Sequence, residues 1–177
     1  VSNSFNLDPL ALDGNAKGNC LMTSTTTCAA AAFTTANTND VIYVYCGETS
    51  ITDTYSAPTD TASNTYTSRT SVSLTNRLIH SYYSVWTGSG SLTVSCNYTS
   101  QSAVRTTVFV IAISGASIGD CGSGGVTCFD TNAAIPKTAT VDSATSVTAT
   151  ISTSNANDFI LSGSVTNIRE TVVYEHG

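Results

Sequence analysis

Apolar residues along this chain fall in short runs, and most runs alternate with polar positions instead of recurring every three or four residues. The densest run closes the segment Val104–Ile113, VRTTVFVIAI, where Val108 to Ile113 are all apolar with no Gly or Pro between them. Ten residues are too few to cross a bilayer as a helix. Their β-branched character, with Ser-Gln-Ser before and Ser-Gly-Ala after, predicts a strand covered on both faces. The second dense run, Val41-Ile42-Tyr43-Val44-Tyr45-Cys46, is its expected partner in one sheet.

The remaining pattern reads in order. Phe5 and Leu7 alternate with polar residues, and Leu10 and Leu12 repeat the pattern beyond Asp8-Pro9. That period of two describes an extended segment with one apolar face. Asp13-Gly14 and Lys17-Gly18 then supply turn chemistry. Strands are predicted over Ala29–Thr35, Ile51–Tyr55, Thr65–Leu74, Arg77–Trp86, Ser91–Tyr98, Phe159–Val165 and Ile168–Tyr174. Ala57-Pro58, Ser63-Asn64 and Gly88-Ser-Gly90 are the expected turns among them, and Thr138–Ser152 is expected to give a strand or strand pair. Ser114–Lys137 is the longest irregular stretch. Turn signals every ten residues or so, with no helical period between, predict an all-β, two-sheet β-sandwich of Ig-like or jelly-roll-like form. The expected division is a tail over 1–17 and a sandwich domain over 18–177.

Composition sharpens this picture in two ways. Only 10% of the 177 residues are charged, six Lys plus Arg against twelve Asp plus Glu. A net charge of −6 with no basic cluster excludes the usual nucleic-acid footprint and a polybasic membrane patch. So few ionisable groups also predict a stability that varies weakly with pH.

The cysteines form an even set: Cys20, Cys28, Cys46, Cys96, Cys121 and Cys128. No CxxC occurs and the chain has two histidines, so a disulfide framework is favoured over zinc. Of the fifteen pairings open to six cysteines, proximity favours Cys20–Cys28 and Cys121–Cys128 as local clips. Cys46–Cys96 is then the long-range bridge between sheets. Disulfides point to an exported protein, and the start at Val1 agrees with a removed signal peptide.

Catalytic and ligand motifs are weak. Gly115-Ala116-Ser117-Ile118-Gly119 matches G-x-S-x-G, with Asp142 or Asp158 and then His176 in hydrolase order. The residues that follow, DCGSGGVTC, cannot form the helix such an elbow needs. His80 and His176 read as solvated side chains. Tyr82, Tyr83 and Trp86 fit a core cluster better than a sugar platform. No calcium-loop pattern occurs, and Lys137, close in sequence to Asp130, Asn132 and Asp142, reads as an exposed lysine and not an isopeptide partner. No enzyme, cofactor or metal is expected. Asn97-Tyr98-Thr99 is the N-x-[ST] sequon and the candidate glycan site.

The segments AISGASIG, FDTNAAIPKTATV and STSNANDFILSG, together with the tail, strands, cysteines and sequon, resemble elements of exported archaeal β-sandwich proteins. The layout resembles the subunit of the archaeal thread filament. That resemblance implies donor-strand complementation, in which the tail of one subunit completes a sheet of the next. Phe5, Leu7, Leu10 and Leu12 would be the plugs, Gly14 and Gly18 the hinges. Partners would be identical subunits in an extracellular homopolymer, with the cell surface or neighbouring filaments as further contacts. An extended Val1–Asp13 would reach about 40 Å, and a head-to-tail contact that does not close makes a filament. The competing readings are a monomeric secreted adhesin or carbohydrate-binding module, and a viral structural protein.

Overall fold

The computed structural model describes residues 9–22, 26–49, 54–99, 104–116, 118, 121, 128–141, 146–155, 158–164 and 171–175. Twelve strands and no α-helix occur among them. Five build the largest sheet: β1 (Ala11–Met22), β4 (Asp40–Glu48), β6 (Thr67–Leu74), β7 (Arg77–Trp86) and β10 (Val104–Ser114), in the order β1-β10-β4-β7-β6. β2 (Thr27–Ala29), β9 (Val94–Tyr98) and β5 (Tyr55–Asp60) form a three-stranded sheet in that order. β3 (Phe33–Thr35) pairs with β8 (Gly90–Leu92), and β11 (Ile160–Ser164) with β12 (Thr171–Glu175). All of these pairings are antiparallel.

The two densest apolar runs do pair, with Val108 opposite Cys46 and Val110 opposite Val44. β4, not β10, takes the centre of the sheet, and all nine of its residues are buried. Alternation along β4 sends its side chains to two separate cores. Ile42, Val44 and Cys46, with Val108, Val110 and Ala112 of β10, pack against Phe33, Leu92, Val94, Cys96 and Tyr98 of the smaller sheets. Tyr43 and Tyr45, with Ile79, Ile111 and Ile113, face the other way and meet Leu10, Leu12, Phe129, Phe159 and Leu161. Phe129, Phe159 and Leu161 of the C-terminal third therefore lie over the second face of the large sheet.

The disulfides join Cys20 to Cys28, Cys46 to Cys96 and Cys121 to Cys128. Cys20–Cys28 is more than a local clip. It ties β1 of the large sheet to β2 of the three-stranded one, as Cys46–Cys96 ties β4 to β9.

Several sequence expectations meet a different arrangement. Pro58 lies inside β5, not in a turn, at a register shift between Ser56 and Thr59. β5 is an edge strand, where a missing N–H breaks no ladder bond. Ala29–Thr35 is interrupted, giving β2 and β3, and Ser91–Tyr98 is interrupted at Thr93. The described parts of Thr138–Ser152 form no strand. Ile51–Asp53, Ser117, Asp142 and His176 lie outside the described residues.

Candidate functional site

The N-terminal strand holds the local feature on which the site depends. β1 pairs with β10 from Ala11↔Ser114 to Met22↔Val104, with one register shift between Leu12 and Gly14. Asp13 is the extra residue of that bulge. Because side chains alternate in a strand, one inserted residue exchanges the faces. Leu12, opposite Ile113, therefore packs on the Tyr43–Tyr45 side. Ala16 and Cys20, beyond the bulge, pack on the opposite core. Phe5 and Leu7 lie outside the described residues.

Gly14 and Gly18 do not act as a hinge in this structure, since both lie within the β1 ladder. A Cβ on Gly18 would sit 2.0 Å from the Ala29 carbonyl oxygen, and one on Gly14 would sit 2.9 Å from that of Thr34. Their role is close approach of the neighbouring chain. The boundary drawn between residues 17 and 18 falls inside the same strand.

On the Tyr43–Tyr45 face lies an open apolar groove of about 610 Å³. Its floor is Val41, Tyr43, Tyr45, Val72, Ile79 and Ile113, and Leu10 lines its N-terminal side. Phe129, Ile135 and Pro136 form one stretch of wall, and Phe159 to Ser164 another. Phe129 is fixed edge-on against Tyr83, with ring centroids 4.9 Å apart, and Arg69 covers it at 4.5 Å from its ring centroid. The Tyr43 hydroxyl donates to Ser81 Oγ at 2.9 Å. Burial raises the Tyr43 and Tyr45 hydroxyls above the ordinary tyrosine value, with the Ser81 bond and the Arg69 charge opposing it at Tyr43. Both phenols stay neutral and serve as packing surface.

The third stretch of wall has the most unusual geometry. Val147, Ala149, Ile151 and Thr153 line the groove at every second position, the spacing of an extended chain. Yet Ser146–Ser152 makes no backbone hydrogen bond to another described residue. Val147 remains 51% exposed, although it faces the groove. The segment is shaped like a strand but has no ladder partner among the described residues. Its C-terminal end is fastened by Asp130, whose Oδ2 accepts from the amides of Ser154 and Asn155 and whose Oδ1 accepts from Asn132 N at 2.6 Å. Desolvation pushes the Asp130 carboxyl up, but the Asn132 and Ser154 amides outweigh it and hold it at about 2. Asp158 beside it is raised, first by desolvation and then by its bond to Asp130 and that group's charge.

The other candidate residues are placed as follows. Trp86 and Tyr82 are buried in the core, which removes them as a sugar platform. His80 is not solvated: it is partly buried and stacks on Tyr55 at 4.6 Å, and desolvation lowers its pKa. Lys137 lines the groove mouth and is exposed. Asn97 lies in β9, where its Nδ2 donates to Ala57 O at 3.0 Å and Thr59 Oγ1 at 3.2 Å. Among the described residues no group of three or more His, Cys, Asp or Glu could hold a metal, and no helix is long and apolar enough to cross a membrane.

Sequence reasoning missed the groove and the bulge. The alternation Val147-Thr-Ala-Thr-Ile151 is the available signal, and on sequence alone it predicts a strand or strand pair. Comparison of the chain with protein-family models, with curated proteins and with solved structures found no match.

Proposed function

We propose that this chain is an exported β-sandwich that serves as the structural subunit of an extracellular filament. Subunits join head to tail, the N-terminal segment of one entering the groove of the next. Adhesion or biofilm cohesion is the role such a polymer would have. The supporting observation is the groove itself: an apolar sheet face on one side, an extended segment with no ladder partner among the described residues on the other, and Leu10 at its margin. A guest strand would offer backbone groups to Ser146–Ser152 and alternate side chains to the tyrosine floor. Phe5 and Leu7, two residues apart and so on one face of an extended chain, precede Leu10 and supply those side chains. Ala11–Met22 would remain in its own subunit, so the donor begins before β1 and Leu12 marks its root.

Each fully buried Phe or Leu contributes about 1.5–3 kcal/mol by transfer from water, partly offset by ordering the segment. Electron microscopy of a chain lacking Val1–Pro9 tests the reading. The truncated protein should fold, keep its three disulfides and form no filaments. A peptide of the tail sequence should bind it one to one. Filaments of normal width from the truncated chain would refute the proposal.

A further inference from the structure

A second feature of β1 has chemistry of its own. Asp13 occupies the bulge that turns Leu12 towards the groove face. Its Oδ2 accepts from Ala36 N at 3.0 Å and from Asn37 N at 2.8 Å, both in the turn between β3 and β4. The first residue of β4 is Asp40, which has no exposed surface. Its carboxyl group takes no hydrogen bond from any backbone or side-chain N–H or hydroxyl among the described residues. What lies within hydrogen-bonding reach of it is the Asp13 carboxyl group.

Two carboxylates cannot hydrogen-bond to each other unless a proton or a cation lies between them. Calcium takes six to eight oxygens, and here one Asp13 oxygen already faces two N–H groups, which would repel a cation. A proton meets every condition. We propose that Asp13 and Asp40 share one proton, forming an acid-stable latch that fixes the root of the N-terminal segment to the β3–β4 turn and releases it when Asp40 ionises.

The surroundings set the direction of the switch. Burial, then the hydrogen bond and charge of Asp13, raise the Asp40 carboxyl from 3.8 to about 7. Desolvation also pushes Asp13 up, but the Asn37 and Ala36 amides and the Asp40 bond outweigh it and hold Asp13 below its ordinary value. Asp13 therefore carries the charge and Asp40 the proton. Opposite Asp40, β7 presents Trp86, and β10 ends in Ile113 and Ser114, none of which titrates near neutrality. The turn itself offers Asn37, Thr38 and Asn39. No basic group in these positions stabilises a second negative charge. On ionisation the two carboxylates repel, and Asp13 sits at the register shift that interrupts the β1–β10 ladder.

The latch belongs to the unassembled subunit, so it stands or falls independently of filament formation. Hydrogen exchange of the full chain, corrected for intrinsic rates and read on peptides covering residues 9–16, tests it at about pH 5.5 and about pH 8.5. Protection there should fall about tenfold or more at the higher pH, while β4 and β10 stay protected. Asp40→Asn, whose amide can donate to Asp13 without titrating, should keep the segment protected at both. Equal protection of the wild type at the two pH values would overturn the proposal, and so would an unchanged pH response in Asp40→Asn. Calcium that restores protection at the higher pH would show a cation bridge instead, and also overturn it. Carboxyl-carbon NMR of the wild type needs no variant: an Asp40 inflection near neutrality is expected, and one near the ordinary aspartate value would refute the shared proton.

Discussion

Cys28 and Cys96 sit directly opposite one another across the β2–β9 pair, yet each is bonded to a cysteine of the large sheet and not to its neighbour. Their partners, Cys20 and Cys46, flank β10 from either side, opposite Thr106 and Val108. Four sulfurs thus fasten two sheets along one line. The sequence separations are 8 and 50 residues. In the chain-entropy picture the shorter loop contributes about 2.5 kcal/mol and the longer about 4 kcal/mol. Replacing Cys46 and Cys96 together by Ala should therefore lower the denaturant midpoint more than replacing Cys20 and Cys28. The reverse order would mean that the Cys20–Cys28 bridge acts mainly by holding β1 in place.

Gly18→Ala separates close packing from hinge motion. The new Cβ would meet the backbone of Ala29, which no side-chain rotation can relieve. A loss of about 1–3 kcal/mol is expected from overpacking of this kind, measured by thermal unfolding of the unassembled chain. If Gly18 served only as a hinge, unfolding would be unchanged and assembly alone would suffer.

The pH dependence of stability should be set by Asp40. Its folded-state pKa lies above the unfolded one, so the folded chain holds a proton that the unfolded chain has lost. Stability is fully present below the unfolded value of 3.8 and falls as pH rises from there towards about 7. Asp130, held low, acts oppositely: its contribution is present above the unfolded value and disappears as pH falls towards about 2. The melting temperature should then decline from mildly acidic to neutral pH, with Asp40→Asn flattening that limb. A flat wild-type profile would return the chain to the weak dependence expected from its few charges.

Asn97 ties a possible modification to folding order. Its amide nitrogen already donates to two oxygens of the β5 bulge region. Glycan transfer should reach Asn97 in the unfolded chain and fail on the folded one. Intact-mass measurement after oligosaccharyl transfer to each form decides this; equal modification of both would show that β9 and β5 separate readily.

The elements that could be read from the sequence were those whose local pattern and burial agree. Val108–Ile113 and Val41–Cys46 are apolar on both faces and are covered on both faces. Pro58 was misplaced because a proline inside a strand depends on whether that strand is an edge, which only the tertiary arrangement decides. The bulge at Asp13 was invisible for a related reason: Asp-Gly is a turn signal, and its use to exchange strand faces needs the partner register. His80 looked solvated because the strand it lies in is rich in Ser and Tyr, whereas the rings that cover it include Tyr55, distant in the chain. Val147, Ala149 and Ile151 carry a strand pattern without a partner strand among the described residues. Within the proposed function, that unmatched pattern is where the guest segment pairs.

Site-directed crosslinking tests that pairing most directly. The six native cysteines are all disulfide-bonded, so Leu7→Cys combined with Val147→Cys adds two thiols with no native competitor. Oxidation of the assembled protein should give a ladder of covalent multimers on a non-reducing gel, and either single variant should give none. A product that remains monomeric, with residues 7 and 147 joined within one chain, would show that the tail fills its own groove and would contradict head-to-tail assembly.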